Sequence, residues 1–326
     1  MIDLRRLHVL RMLHEHGTVT ATAQALHLTP SAVSQQIRQL SRELGVNLLE
    51  PAGRRVRLTP AAHRLLRHAD DLYAQWELAR ADLAAAESGE SGELRLCGFP
   101  TGLASLLTPA AARLRHAHPR LAVHLAESQH TDSFDLLLAN EADIAVVVAV
   151  PEGPPLDDPR FDQRPVIDDP LDLVVPAAHP LAGRASVELA ETAHESWILP
   201  SESIDHYHVT MVACATAGFA PRIAHQAQEW PAVIALVAHG FGVCLLPRLA
   251  PLPAHHAVVR IPLRGRPIPS RRILACIRRG SHRQPAIAKG LEAIEEISRQ
   301  LPPPLVAPGP GYGERPHRHT AAAGPA

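Results

Sequence analysis

Apolar residues recur at helical spacing from the start of the chain. Leu4, Leu7, Leu10 and Leu13, with Val9 and Met12 beside them, form one stripe, and Gly17 supplies a stop. Thr18 or Thr20 can cap a second short helix through Leu26, where Ala21, Ala23 and Ala25 permit close packing. Thr29 then reads as an N-cap, with Pro30 at the first helical position, where its missing N–H costs nothing. This third helix runs to about Leu44 and turns Val33, Ile37, Leu40 and Leu44 inward, while its other face carries Ser31, Ser34, Gln35 and Arg38. Residues 46–58 read as two short strands around a Gly53-Arg54-Arg55 turn, a basic wing. Thr59-Pro60 repeats the cap and opens a long helix. Along it Ala62, Leu65, Ala69, Leu72, Trp76, Ala79 and Leu83 alternate at spacings of three and four, a heptad seam. A short wing domain cannot cover so long a stripe, which predicts pairing with a second copy. The run Glu87 to Glu93, "ESGESGE", has linker composition.

From Leu94 the pattern becomes strand–helix alternation. "LRLCGF", "LAVHLAES" and "DIAVVVAV" read as strands, with helices over "LASLLTPAAARLRHAHP" and "SFDLLLANEA" between them. Such alternation predicts α/β units on a largely parallel sheet. Pro151 to Pro165 is rich in Pro and Asp and reads as a crossing loop. A second α/β run follows through "LDLVVP", "SWILPSES", a helix near Asp205 to Ala217, "PRIAHQA", a helix near Pro231 to His239, and "VCLLP". The last part, "AVVRIPL", "RRILACIRR" and a helix to Gln300, can return to the first lobe. The expected organisation is α/β overall. An all-α winged helix–turn–helix spans 1–58, a dimerising linker helix 59–88, and a two-lobed α/β domain 93–300. Its first lobe takes about 93–160 and 266–300, its second about 161–265. Residues 301–326, rich in Pro and Gly, read as a disordered tail.

Charge sharpens this division. The whole chain of 326 residues has a formal net charge of −1, yet Met1 to Leu58 holds eight arginines against four acids, a net of +4. A basic front end on a neutral chain points to an anionic partner for that end alone. The second helix of a helix–turn–helix enters the DNA major groove, and base edges and phosphates are read by hydrogen bonds. Thr29, Pro30, Ser31, Ser34, Gln35 and Arg38 form such a reading segment; Gln35 suits adenine, and Arg38 suits guanine or a phosphate. Arg54, Arg55 and Arg57 on the wing suit phosphates or the minor groove. The competing reading is a solvated polar face beside an exposed basic hairpin. A reader next to a dimer seam (Leu65, Ala69, Leu72, Trp76, Ala79, Leu83) matches two-fold operators.

Composition excludes other classes. Cys97, Cys214, Cys244 and Cys276 have no CxxC spacing and apolar neighbours, so they read as reduced, buried thiols. Charges interrupt every N-terminal apolar run and no run reaches membrane length, so a cytoplasmic protein at the nucleoid, without membrane contact, is expected. HExxH, GxSxG and phosphate-loop motifs are absent, and the histidine pairs lack helical zinc spacing, so neither an enzyme nor a metal site is expected.

The stretch "DLRRLHVLRMLHEHGTVTATAQALHLTPSAVSQQIRQLSRELGVNLLE", followed by "GRRVRLTPAA", resembles the LysR-type transcriptional regulators. "DDPLDLVVPAAHPLAG", "AGFAPRI" and "LVAHGFGVCLLP" look like that family's effector module, so the resemblance extends to about residue 300. It implies a helix–turn–helix near Thr18 to Ile37, homodimers and often dimers of dimers. It also implies two lobes of the periplasmic-binding-protein type with a small-molecule co-inducer or co-repressor between them. The partners implied are promoter DNA, a second copy, the effector and RNA polymerase; no cofactor is implied. Two departures stand out. Leu49-Glu50-Pro51 replaces an aromatic followed by Glu-Arg, removing one arginine phosphate contact. Ala62 replaces a glycine, which stiffens the start of the linker helix.

Ligands of open α/β lobes lie beyond the C-terminal strand ends, at helix N-termini. Thr101, with Gly102, holds such a place in the first lobe, and Ser201 and Ser203 the matching place in the second. Their N–H groups and hydroxyls suit a carboxylate or similar anion. Ser128, Gln129, Val147, Gln228 and Trp230 are further candidates for the cleft wall. The alternative is that these residues only cap helices and that Trp230 only packs. Two rival functions are a solute-binding protein, against which the N-terminal motif tells, and an effector-independent DNA-organising protein, against which the patterned lobes tell.

Overall fold

The computed structural model describes residues 3–52, 55–86, 92–151, 153–201, 205–253 and 255–301. The expectations for Arg54, for the side chain of Arg55, for Ser203, for the linker residues 87–91 and for the tail from 302 lie outside what is described.

Helices α1 (Leu4–His16), α2 (Val19–Ala25) and α3 (Pro30–Leu44) form a three-helix head. Each boundary has a local cause. Asp3 caps α1 through the Arg5 N–H, and Gly17 ends it at φ +67°. Thr18, not Thr20, caps α2 by accepting from the Ala21 N–H at 3.1 Å. Thr29 caps α3 through the Ala32 N–H at 3.2 Å, and Gly45 closes it in the left-handed region. The wing is β1 (Leu49–Ala52) against β2 (Arg55–Leu58), antiparallel, with Glu50 opposite Arg57 and Pro51 opposite Val56. Leu7, Leu10, Leu13, Val33, Ile37, Leu40 and Leu48 fill the core, each contributing about 1.5–3 kcal/mol by burial.

The long helix α4 (Pro60–Ala86) serves three surfaces. Its first turns belong to the head: Ala62, Leu66 and Ala69 are buried in that core, Leu65 packs against it, and Tyr73 Oη donates to the Leu4 carbonyl at 2.6 Å. Ala69, expected in the dimer seam, is 0% exposed within its own chain and is unavailable to a partner. Leu65 is largely engaged likewise. Small and medium residues at those heptad places fit against α1 before the stripe emerges. Beyond them the seam is open, with Leu72, Trp76 and Leu83 at 48%, 50% and 66% exposure and Ala79 exposed beside them. A third face docks on the effector domain. There Glu77 is buried against Arg278 at 3.2 Å, and Gly280 comes so close that a Cβ would sit 2.5 Å from the Ala74 carbonyl. The head also touches this domain, through Glu15 with Arg160 and His16 with Asp135 at 3.5 Å.

The effector domain has two lobes. In the first, β3 (Gly92–Gly98) lies between β4 (Leu121–Glu127) and β5 (Ile144–Val148), all parallel. One continuous helical run follows β3: α5 (Pro100–Gly102), a π-helical turn over Leu103–Leu107, and α6 (Thr108–Ala117). Helix α7 (His130–Leu138) covers the other face. Strand β6 (Phe161–Pro176) then runs through both lobes. The second lobe adds β7 (Val187–Glu188), β8 (Ser196–Leu199), α8 (Asp205–Thr216), β9 (Arg222–Gln226), α9 (Trp230–Ala238), β10 (Cys244–Pro247), β11 (Val258–Ile261) and β12 (Leu263–Arg264). Strand β13 (Ser270–Arg278) returns to the first lobe, and α10 (Pro285–Gln300) packs there on α6 and β3.

Three expectations change. The segment read as a loop to Pro165 is already strand from Phe161, because β13 supplies its hydrogen-bond partners from far along the chain. The lobe boundary expected at about residue 161 therefore falls mid-strand: up to Pro170 β6 pairs with β13, and from Leu171 it pairs with β10 and β11 in the second lobe. The sheet expected to be largely parallel is mixed, since β13 runs antiparallel to both β5 and β6 as it returns. Among the described residues no helix is long and apolar enough to cross a membrane.

Candidate DNA interface and effector cleft

The reading face of α3 is open. Thr29, Pro30, Ser31, Gln35 and Arg38 are exposed, Ser34 is half-buried, and the opposite face carries Val33, Ile37 and Leu40 into the core. Neighbouring cations are engaged: Arg6 binds Glu43 and Gln36, and Arg42 binds Gln39 at 2.6 Å. Arg38 makes no ion pair or hydrogen bond to any described residue. A free guanidinium among hydroxyl and amide groups on one convex helix is the chemistry that major-groove recognition requires. Arg57 differs from the expectation of a free wing cation. Its Nε donates to Glu50 Oε1 at 2.8 Å across the hairpin, so its charge is neutralised locally. The pair is solvent-exposed, and such pairs hold by at most about 1 kcal/mol, so a phosphate can replace Glu50.

The cleft between the lobes is organised by the two crossover strands. Residues adjacent on a strand face opposite sides. Asp169 and Arg271 face one side as a buried pair at 2.9 Å; Asp168 and Arg272 form a more open pair at 3.2 Å. Arg271 also donates to Thr101 Oγ1 at 2.8 Å, and the Phe99 ring stacks on its guanidinium at 4.9 Å. Gly102 is where expected, yet its role is steric: a Cβ there would lie 2.8 Å from the Phe99 ring. Asp169 accepts from the Leu249 N–H at 3.1 Å, and Ser105 Oγ donates to the Leu249 carbonyl at 2.9 Å, which ties the lobes together at the base of the cleft. Burial pushes the Asp169 carboxyl up, although Arg271 and the backbone N–H groups oppose this.

On the second lobe His206 and Trp230 meet edge to face at 4.9 Å, with Trp230 packed against that lobe's core, and Ser201 Oγ accepts from Gln228 Nε2 at 3.1 Å. His206 Nε2 lies 2.9 Å from the Leu245 carbonyl and must donate to it, so Nδ1 carries the lone pair. That Nδ1 is buried and has no hydrogen-bond partner among the described residues. Burial, reinforced by Arg271, pushes the His206 pKa down to about 3, so the ring is neutral.

The remaining expected residues divide. Ser128 is buried and shares a 2.8 Å hydrogen bond with Ser133, so it joins β4 to α7; Gln129 is exposed at the start of α7. Val147 does not line the cleft. It is 1% exposed and packs with Cys97, Phe134 and Leu274, because it lies on the α7 side of a strand buried on both faces. Asp169, Arg271 and His206 were missed. The signal for the first two was present: acids and arginines at the edges of otherwise apolar strands, "DDPLDLVV" and "RRILACI", mark positions that need a charged partner.

All four cysteines are free and buried. Burial pushes the Cys214 and Cys244 thiols up to about 12 and raises those of Cys97 and Cys276 as well.

A DNA-reading head, a linker helix and a hinged two-lobed domain define a ligand-responsive regulator, and comparison with known proteins agrees. Residues 4–63 match the bacterial regulatory helix-turn-helix protein, lysR family, and residues 87–298 match the LysR substrate binding domain. The chain belongs to the LysR family of transcriptional regulators, whose members are not enzymes. It is 30% identical over 309 residues to a probable hydrogen peroxide-inducible genes activator of Streptomyces viridosporus, covering 93% of this chain and 97% of the relative. It is 28% identical over 247 residues to the transcriptional dual regulator GltC of Bacillus subtilis, covering 76% of this chain and 81% of that protein. Full-length OxyR from Pseudomonas aeruginosa, as a solved variant, shares the fold with a TM-score of 0.62 at 21% identity, over 92% of this chain and 95% of that one.

Proposed function

We propose that the effector of this regulator sits in the cleft in front of Asp169 and Arg271, and that it is a small molecule with an anionic group and an adjacent hydrogen-bond donor. The observation that carries this reading is the lone pair of His206 Nδ1, buried without a donor among the described residues. Leaving such an acceptor unsatisfied costs about 1–3 kcal/mol, which a ligand N–H or O–H recovers. Across the cleft Thr101 accepts from Arg271, leaving its own O–H to donate to a carboxylate beside a cationic neighbour. A molecule using both groups spans the two lobes and favours their closed arrangement, and only such differential affinity shifts the equilibrium.

Closure then alters how subunits pack. Dimers form along Leu72, Trp76, Ala79 and Leu83, and dimers of dimers set the spacing and bend of promoter DNA at the nucleoid, where contact with RNA polymerase raises or lowers transcription. The hydrogen peroxide response named for one relative does not suit this chain, because thiol oxidation requires thiolate and its cysteines are buried and protonated. The test is a thermal-shift panel of small hydroxy- and amino-carboxylates on the full chain, repeated with His206→Phe and Thr101→Val. Loss of the stabilising shift in both variants supports the assignment; hits indifferent to both overturn it.

A further inference from the structure

Behind the crossover strands lies a cavity of about 520 Å³, within the usual range for small-ligand sites. Asp168, Arg271 and Arg272 border it, and the open Asp168–Arg272 pair, on the strand face opposite to the Asp169–Arg271 pair, turns toward it. The first lobe supplies Ala149 to Pro151, from the end of β5. The second supplies one side of α8 and the segment from Leu263 to Pro269. The walls are mainly apolar, with Val150, Val209, Val212, Leu263 and Ile268 facing the space.

The charges are uneven. Arg264 is held by Glu188 and Glu191 at 2.9 Å each, and Arg272 by Asp168 at 3.2 Å. Arg266, also at the rim, has neither an ion pair nor a hydrogen bond to any described residue. An apolar chamber with one uncommitted guanidinium at its mouth suits an apolar body bearing a single carboxylate. A polyanion would meet Asp168 and Glu188, and a cation would meet Arg266.

We propose that this rear cavity is a second ligand site, for a small aromatic or branched apolar carboxylate, distinct from the front cleft. Its occupant touches both lobes and both crossover strands, so its binding is coupled to the angle between the lobes. By linkage it alters the affinity of whatever the front cleft holds, and that ligand alters its own by the same factor.

The test is calorimetric titration of the full-length protein with 2-naphthoate, and with 2-naphthylmethanol as its uncharged counterpart. Val212→Trp fills the chamber and is expected to abolish binding of both. Arg266→Ala, at an exposed position that leaves the fold intact, is expected to weaken naphthoate about fivefold and to leave the alcohol unchanged. His206→Phe, in the front cleft, is expected to change neither. Absence of naphthoate binding to the wild type at millimolar concentration overturns the proposal. So does binding that survives Val212→Trp in a folded variant, or that Arg266→Ala leaves intact. Binding lost in His206→Phe alone assigns naphthoate to the front cleft and also overturns it.

Discussion

Replacing Arg278 by Met perturbs the junction on which the linker helix depends. Arg278 is buried at the end of β13 and makes four contacts. Its Nε meets Glu77 at 3.2 Å, one terminal nitrogen donates to the Leu137 and Ala142 carbonyls, and the other donates to Asp143 at 3.2 Å. Asp143 has a second partner: burial opposes its charge, but Arg95 hydrogen bonds and Arg278 outweigh this and hold its carboxyl below the usual range. Glu77 keeps Gln284 at 2.7 Å and Arg80 at 3.2 Å. The carboxylates are thus not orphaned, whereas the two carbonyls lose their arginine donors and the Glu77–Asp143 bridge is lost. Losing buried hydrogen bonds to a charged group, at about 1.5–3 kcal/mol each, costs about 3–5 kcal/mol in all. For a domain of this size that lowers the melting temperature by roughly 10 °C. Calorimetry of the full chain measures it. Glu77→Gln alone should cost less, and a double-mutant cycle with Arg278→Met should be non-additive by about 1–2 kcal/mol. A melting temperature within about 2 °C of wild type, or an additive cycle, refutes the network.

Leu72→Glu on the exposed stripe of α4 should turn dimers into monomers in sedimentation while the head keeps its fold; an intact dimer refutes the seam. In native protein all four cysteines should resist a thiol reagent, and peroxide should form no disulfide. Cys97 and Cys276 lie opposite Ala145 on strands two apart, about 9.6 Å between Cα atoms, beyond disulfide reach. A Cys97–Cys276 crosslink in mass spectrometry would contradict this geometry. His8 is pushed down to about 4 by burial and Arg11, and His206 to about 3, both below the unfolded value of 6.5. The unfolded chain therefore takes up protons first, so stability is full above about pH 6.5 and falls below it, by about 1 kcal/mol per histidine at about pH 5.5. His206→Phe should flatten the pH dependence of the denaturation midpoint. Comparison with wild type isolates it from Asp70, Asp135 and Asp169, whose raised values act with the opposite sign.

Much of this was legible in the chain because its causes are local. Thr29-Pro30 and Thr59-Pro60 announce helix starts, Gly17 and Gly45 announce ends, and the open face of α3 follows from four polar residues at helical spacing. What was not legible depends on partners distant in sequence. Phe161 to Pro165 looks like loop until β13 pairs with it. Val147 looks available until α7 covers its face. Ala69 satisfies a heptad yet is taken by the head, and Arg57 seems free until the hairpin brings Glu50 opposite. The cleft was half legible. Thr101 and Ser201 follow from strand ends, but the Asp169–Arg271 pair needs two strands separated by a whole lobe.

The central claim is that α3 reads promoter DNA. Fluorescence anisotropy of the purified dimer on its own upstream intergenic DNA, against unrelated DNA of equal length across a salt series, tests it most directly. Wild type should prefer its own sequence, Gln35→Ala should lose that preference by about 1–3 kcal/mol, and Arg38→Ala should weaken binding and reduce the salt slope if it contacts phosphate. Preference retained in both variants, or absent in the wild type with and without effector, would contradict the account.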